Sequence, residues 1–310
     1  MFKKINRRSF VKKTALFSAA ALSGIDLIAK DENTPYDVAI VSGKDYLNNT
    51  KQAVNLIGGI HRFVPPKSKV AILPNPSNFL PGTFSKPEIL RAVIQLCKEA
   101  GASDIACIGW LPYRNWRLTG QTIVIEEEGA RLEITEEGNE KLYREIPVPN
   151  GKYLKKAKII DTFFKYDVLI NLNISKEHSG NNLSATMKNL MGLNSAESDR
   201  TFHRKKWNMI TEDIEYLDQC IADLNTVITP DLNITDSTEF ITTNGPMGPG
   251  KILRPQKIIA GIDRVAMDAY CASLLGYHTE NITFLNAAHR HGLGEINLNR
   301  VRIKEMVGRG

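Results

Sequence analysis

Short apolar and β-branched runs recur along the chain: DVAIVSG at 37–43, KVAILPN at 69–75, DIACIGW at 104–110, DVLINLNI at 167–174 and KIIAGI at 257–262. A further run at 232–236 follows TPD. Runs this short, apolar on both faces and bounded by turn residues, predict strands of a sheet covered on both sides. Between them the apolar spacing changes to that of helices. The clearest is SKPEILRAVIQLCKEAG, with Ser85 as cap, Pro87 in the first turn and Gly101 as the stop. Strand, helix and strand at this spacing predict βαβ units, hence an α/β fold with a mainly parallel sheet flanked by helices.

One stretch breaks the rhythm. QTIVIEEEGARLEITEEG reads as two alternating runs joined around Glu128-Gly129, a β-hairpin that REIPVPNG would extend. The expected organisation is therefore a single α/β domain over 31–310 with a hairpin or small subdomain inserted at about 111–155. No internal repeat and no low-complexity segment interrupts it.

Charge first suggests a nucleic-acid or membrane partner, because the net charge is +6 and the pI is about 9.0. Its distribution changes that reading. Residues 1–30 hold seven of the 40 Lys and Arg and one of the 34 acids, leaving the other 280 residues with 33 of each. The body is neutral, and a nucleic-acid partner is not expected.

The N-terminal MFKKINRRSFVKKTALFSAAALSGIDLIAK has a cationic start, an apolar stretch from Ala15 to Leu22 and small residues beyond it, the layout of an export signal. Within it, NRRSFVKK resembles the twin-arginine signal: Arg7-Arg8, then Ser9, Phe10, Val11 and Lys12. The expected partner is the twin-arginine translocation machinery, the expected location periplasmic or extracytoplasmic, and the expected state of the cargo folded. Cleavage after LIA or after ALS fits equally, and a retained basic arm or anchor is the alternative. No later run reaches the roughly 18 to 20 apolar residues of a membrane span.

Cys97, Cys107, Cys220 and Cys271 lie far apart, with no C-x-x-C pair, so iron–sulfur and zinc-ribbon spacings are absent from this chain. Their apolar surroundings predict buried free thiols, although a Cys97–Cys107 disulfide is allowed in an oxidising compartment. G-x-S-x-G, H-E-x-x-H, G-x-G-x-x-G and the phosphate-loop motif are also missing.

Open α/β sheets bind ligands at the C-terminal ends of their strands, so the loops there are where chemistry is expected. PNPSNFLPGTFS stiffens Asn75 between prolines. In NISKEHSGNNLSATMKNLMGL, Asn181 or Asn182 would cap a helix whose apolar stripe is Leu183, Met187, Leu190 and Met191, with Ser184 and Lys188 on another face. Lys176 and His178 would stand just before its N-terminus, where free amides favour an anion. The plain alternative is a capped helix with solvated cations. NGPMGPGK offers Asn244 and Gly245 and close backbone approach. In GIDRVAMDAYCASLLG, Asp263 would cap a helix, and Asp268, amid Ala and Cys, needs a partner: loop backbone, lysine or metal. His289 and His291 read as C-terminal capping residues rather than a metal pair, and His203 lies in a solvated charge run.

Taken in order, these segments resemble the family catalogued as domain of unknown function 362, over about 65–300. The matching positions are Asn75, Lys176, His178, Thr186, Lys188, Asn189, Asn244, Gly245, Asp263 and Asp268. The resemblance implies an α/β domain, frequent twin-arginine export and, in many members, an attached ferredoxin-type module whose cysteines this chain lacks. Leu73 stands where the family often has Lys before Pro-Asn, and TDST where it has a DG pair. The expectation is an exported enzyme or enzyme-like protein that binds a small anionic ligand, with a metal ion left open, in a cleft at the strand ends. Lys176, His178 and Lys188 would hold the anion, Asn75, Thr186, Asn189, Asn244, Gly245 and Asp263 would complete the site, and His178, Lys188 and Asp268 would carry the chemistry. The alternatives are a non-catalytic metal or small-molecule carrier, and a redox protein with a separate iron–sulfur partner.

Overall fold

The protein is described by a computed structural model over residues 35–203 and 208–308; the twin-arginine-type segment lies outside the described residues. Eight strands form one sheet: β1 (Val38–Ser42), β2 (Lys69–Leu73), β3 (Asp104–Gly109), β4 (Arg131–Ile134), β7 (Val168–Ile174), β10 (Leu232–Ser237), β13 (Lys257–Gly261) and β14 (Ile303–Val307), in the order β14-β1-β13-β10-β7-β2-β3-β4. Three two-stranded ribbons stand outside it: β5 (Tyr143–Pro147) with β6 (Lys156–Ile160), β8 (Lys176–His178) with β9 (Asn182–Ser184), and β11 (Phe240–Ile241) with β12 (Ile252–Leu253).

All the main strands run the same way except β13, which is antiparallel to both β1 and β10. The period-two alternation of each strand divides the core into two layers. Ala39, Val41, Val70, Ile72, Ile105, Cys107, Ile170 and Leu172 face the helices Tyr46–Leu56, Pro87–Glu99 and Gln121–Glu127. Val38, Ile40, Ala71, Leu73, Ala106, Ile108 and Ile259 face the helices Thr211–Asn225, Arg264–Leu274 and Thr283–Arg290. The four cysteines are buried and none forms a disulfide among the described residues. No helix among the described residues is long and apolar enough to cross a membrane.

The hairpin expected around Glu128-Gly129 is not there. Residues Gln121–Glu127 form a helix, bracketed by Gly120 and Gly129 at φ 76° and 61°. Its buried positions, Gln121, Val124 and Ile125, have helical spacing, while Ile123 is exposed. A β-branched run short enough to fit either period was settled by packing against the helix Pro87–Glu99. The second half, Arg131–Ile134, joins the main sheet as an edge strand parallel to β3. The antiparallel ribbon of this region is β5 with β6.

Candidate functional site

The chain passes from β2 outward to β3 and β4, returns to β7 on the other side of β2, and continues away to β10. This reversal of direction makes the β2–β7 boundary a topological switch point, where the loops after adjacent strands diverge and leave room above the sheet. Three strand-end loops meet there. Residues 74–86 follow β2, residues 175–189 follow β7 and residues 238–250 follow β10.

Lys176 fills the junction. Its Nζ donates to Ser77 Oγ at 2.7 Å and to the Thr83 carbonyl at 2.6 Å, with Asn75 Oδ1 at 3.4 Å. The side chain is 1% exposed. Burial, then the charge of Lys188, lowers its pKa to about 7. Lys176 thus ties two loops together, and its donors are already engaged.

Lys188 is different. It too is enclosed, but its Nζ has no hydrogen-bond partner among the described residues. Burial lowers its pKa to about 8, against the opposing pull of Asp199 and Asp218. His178 is within reach of the same charge: burial first, then Lys188, His203 and Lys176, push its pKa far down. Its Nδ1 accepts the N–H of Gly180 at 3.1 Å and that of Asn181 at 3.4 Å, so the neutral ring carries its proton on Nε2. The His178 and His203 rings stack at 6.4 Å between centroids. Asp218, on the helix Thr211–Asn225, has its pKa raised by burial to about 7, with the nearby Asn181 amide and Lys188 opposing the rise. Its Oδ1 is buried without a hydrogen bond.

The helix expected to start at Asn181 or Asn182 begins only at Thr186. Asn182 sits at φ 67° in the turn of the β8–β9 ribbon, which pairs Lys176 with Ser184 and His178 with Asn182. Ser184 and Lys188 therefore do not share a helix face. Nor does an anion-binding N-terminus stand open, because Asp268 occupies it. Its Oδ1 accepts the Thr186 N–H at 2.7 Å and its Oδ2 the Met187 N–H at 2.9 Å. Asp268 is fully buried, and burial raises its pKa to about 6. Both its oxygens serve backbone, so it clamps the segment bearing Lys188 rather than facing a ligand as a base.

Asp263 departs further from expectation. Because β13 is reversed, its C-terminal Gly261 lies opposite Val38 and Asn233, at the N-terminal edge of the other strands. Asp263 there caps the helix Arg264–Leu274 through Ala266 N–H at 2.9 Å and also accepts the Glu295 N–H at 2.8 Å. It is remote from the strand-end loops by topology.

A buried amide network underlies the site. Asn75 Nδ2 donates to Asn189 Oδ1 at 2.7 Å; Asn189 Nδ2 donates to Asn171 Oδ1 at 2.7 Å and to the Leu73 carbonyl at 3.2 Å. Asn171 Nδ2 in turn donates to the Thr186 carbonyl at 2.9 Å and to Asn233 Oδ1 at 3.0 Å. Thr186 and Thr235 hydroxyls meet at 3.1 Å. Asn189 is thereby a brace, while Asn75 remains partly exposed. The alternation of Asn with Leu and Ile in INLNI and LNIT was the available signal for Asn171, Asn173 and Asn233, which sequence reasoning passed over. Asp218 carried no local signal.

Gly245 lies at the junction beside the β8–β9 ribbon. Its N–H donates to Glu177 Oε2, and its carbonyl accepts from Ser179 N–H at 3.3 Å and Ser179 Oγ at 3.0 Å. A Cβ at this position would lie 1.7 Å from the Glu177 carbonyl oxygen, so only glycine fits. Asn244, at φ 58° and exposed, turns inward on its own loop and donates to the Pro249 carbonyl at 3.1 Å. His291 pairs with Asp223 at 3.0 Å, and His289 meets the Gly294 carbonyl at 2.9 Å, so the two rings serve different partners. Among the described residues no three His, Cys, Asp or Glu side chains cluster as a metal site.

The result is a polar cluster in which both lysines are buried. A surface pocket of about 330 Å³, lined by residues including Tyr277, His278, Glu280 and Asn297, contains none of the expected site residues.

No curated protein matches the sequence. The fold is similar to the lactate racemase apoprotein of Thermoanaerobacterium thermosaccharolyticum at 15% identity and a TM-score of 0.44, over 85% of this chain and 57% of that one, so the protein spans little more than half of that chain. The family described as "Domain of unknown function (DUF362)" matches residues 70–273, which carry both lysines, the amide network and Asp268, and the chain belongs to that family.

Proposed function

We propose that the protein is an exported α/β enzyme that binds a small anionic ligand against Lys188, with the neutral His178 ring as a second hydrogen-bond donor. The observation that carries this is the Lys188 amine, enclosed by the fold without a hydrogen-bond partner among the described residues. Burying an ammonium with three unmatched donors costs several kcal/mol by the general scale for unpaired charges, and Lys188 contributes no bond to the fold in exchange. An anionic ligand would supply the missing acceptor. The neutral His178 ring, with its proton on Nε2, provides a donor in the same surroundings.

The test is thermal denaturation of the protein with inorganic phosphate or propionate. An anion is expected to raise the midpoint of the natural sequence and to leave the Lys188→Met variant unmoved. Equal stabilisation of both proteins would refute the reading. Export rests on the Arg7-Arg8 pair: Arg7→Lys with Arg8→Lys should retain the folded protein in the cytoplasm, and unchanged periplasmic recovery would remove that half of the proposal. Metal analysis of natively exported protein tests the remaining metal reading.

A further inference from the structure

We infer that Lys188 acts as a nucleophile: its Nζ, enclosed without an acceptor within electrostatic reach of His178, His203 and Asp218, forms a Schiff base with the carbonyl carbon of a small 2-oxo acid. The carboxylate of such a ligand rests on the anion reading above; the carbonyl does not.

Three observations favour an amine over a purely electrostatic cation. First, a protonated Lys188 would bury donors that meet no hydrogen-bond partner among the described residues, whereas a neutral amine has a lone pair to offer and a far smaller burial cost. Burial holds the pKa near 8, so the amine form is populated at neutral pH. Second, the neighbouring lysine does not share the task of binding an anion, because Lys176 spends its donors on Ser77, Thr83 and Asn75. A site built for charge alone would aim more than one donor at the ligand. Third, the chemistry needs an acid, and Asp218 is one: burial raises its pKa to about 7 against the opposing pull of the Asn181 and Thr283 side chains, the Phe284 N–H and Lys188, and its Oδ1 meets no hydrogen-bond partner among the described residues. Asp268 cannot fill that role, since both its oxygens hold backbone N–H groups.

The step balances without an oxidant or reductant. The Nζ lone pair bonds to the carbonyl carbon as the C=O π pair moves to oxygen, and a proton passes from nitrogen to that oxygen to give a carbinolamine. Asp218 then protonates the hydroxyl, which leaves as water while the nitrogen lone pair forms C=N. The products are an iminium on Lys188, the Asp218 carboxylate and one water. His178 Nε2–H donates to the ligand carboxylate, and hydrolysis reverses the sequence.

The experiment uses the full chain with pyruvate as probe and sodium borohydride as trap, followed by intact mass and peptide mapping. Lys188 should acquire the reduced adduct about tenfold or more faster than exposed lysines, given its larger amine fraction at neutral pH. Propionate, which has the carboxylate but no carbonyl, should slow labelling of Lys188 and give no adduct itself. The Lys188→Arg variant should lose the fast adduct while retaining a charge. An adduct confined to exposed lysines overturns the inference even where propionate still stabilises the protein, which would leave the anion reading standing. Conversely, a Lys188 adduct that propionate neither slows nor mimics in stabilisation would keep the nucleophile and discard the anion site. If Lys188→Arg fails to fold, propionate protection of the natural sequence decides alone, since labelling of Lys188 only in urea-unfolded protein also overturns it.

Discussion

Replacing Lys188 with methionine should make the protein more stable, and by an amount that depends on pH. Methionine matches the length and volume of the lysine stem and asks for no hydrogen bonds. The folded-state pKa is about 8 against 10.5 for a free lysine side chain. That difference corresponds to about 3 kcal/mol opposing folding while the amine is protonated in both states, at about 1.4 kcal/mol per unit. The sign follows from proton counting. Between the two pKa values the unfolded chain holds a proton at Lys188 that the folded chain has released, so stability of the natural sequence rises with pH there. The penalty is complete below the folded value and relieved as pH climbs toward the unfolded one. Linkage gives a gain of about 1.4 kcal/mol for this residue between about pH 7 and pH 9. The assay is urea unfolding of both proteins at three pH values across that window. Lys188→Met should be the more stable at the lowest pH, by up to about 3 kcal/mol, and its lead should shrink by about 1.4 kcal/mol at the highest. Taking the difference between the two proteins cancels the cysteines and tyrosines that begin to titrate near the upper limit. A lead that stays constant with pH, or a variant less stable at every pH, would refute the account of an enclosed, unmatched amine. A residue that weakens the fold in this way is retained for another reason, as expected of a functional site.

Other substitutions should separate bracing residues from the free amine. Lys176→Met orphans the Thr83 carbonyl and the Ser77 hydroxyl, so it should rank below Lys188→Met in urea unfolding by about 1–3 kcal/mol. Asn171→Leu strips partners from Asn189, Thr186 and Asn233; calorimetry should show a loss of about 2–4 kcal/mol. Gly245→Ala sets a Cβ against the Glu177 carbonyl, and displacement of the β8–β9 ribbon should abolish any anion-induced shift in melting temperature. Cys97, whose pKa burial raises to about 12, should resist thiol reagents in the native state and react on unfolding.

Much of the fold was legible because each strand carried its own signal. The runs at 37–43, 69–75, 104–110, 167–174 and 257–262 correspond to β1, β2, β3, β7 and β13 within a residue or two, since strands buried on both faces leave apolar runs that need no context. The stretch 121–134 misled for the opposite reason: Thr, Ile and Val suit a strand, and only contact with the helix Pro87–Glu99 makes it helical. At the site, local sequence pointed to Lys176, His178, Lys188 and Gly245, whose loops do converge. It gave no warning that Asp268 would cap a helix 82 residues earlier in the chain, or that the reversal of β13 would carry Asp263 to the far edge of the sheet. Both are consequences of strand order, which is not written in any one segment. Nor could spacing distinguish a lysine whose donors are all engaged from one with none.

The place of β13 and β14 has a consequence for the order in which the molecule can be made. β1, the first of the described strands, bonds on one side to β13 and on the other to β14, so nothing emerging from the ribosome before Lys257 can pair with it. Until then β1 has two open edges, and the turn before Lys188 lacks the Asp268 carboxylate that holds it. Such long-range pairing is slow to form, and a chain cut short of residue 257 would leave β1 unpaired and the Thr186 and Met187 N–H groups without the Asp268 carboxylate. The first strand of the described sheet is thus among the last to be paired, and the segment that carries Lys188 waits for Asp268, 82 residues beyond Thr186.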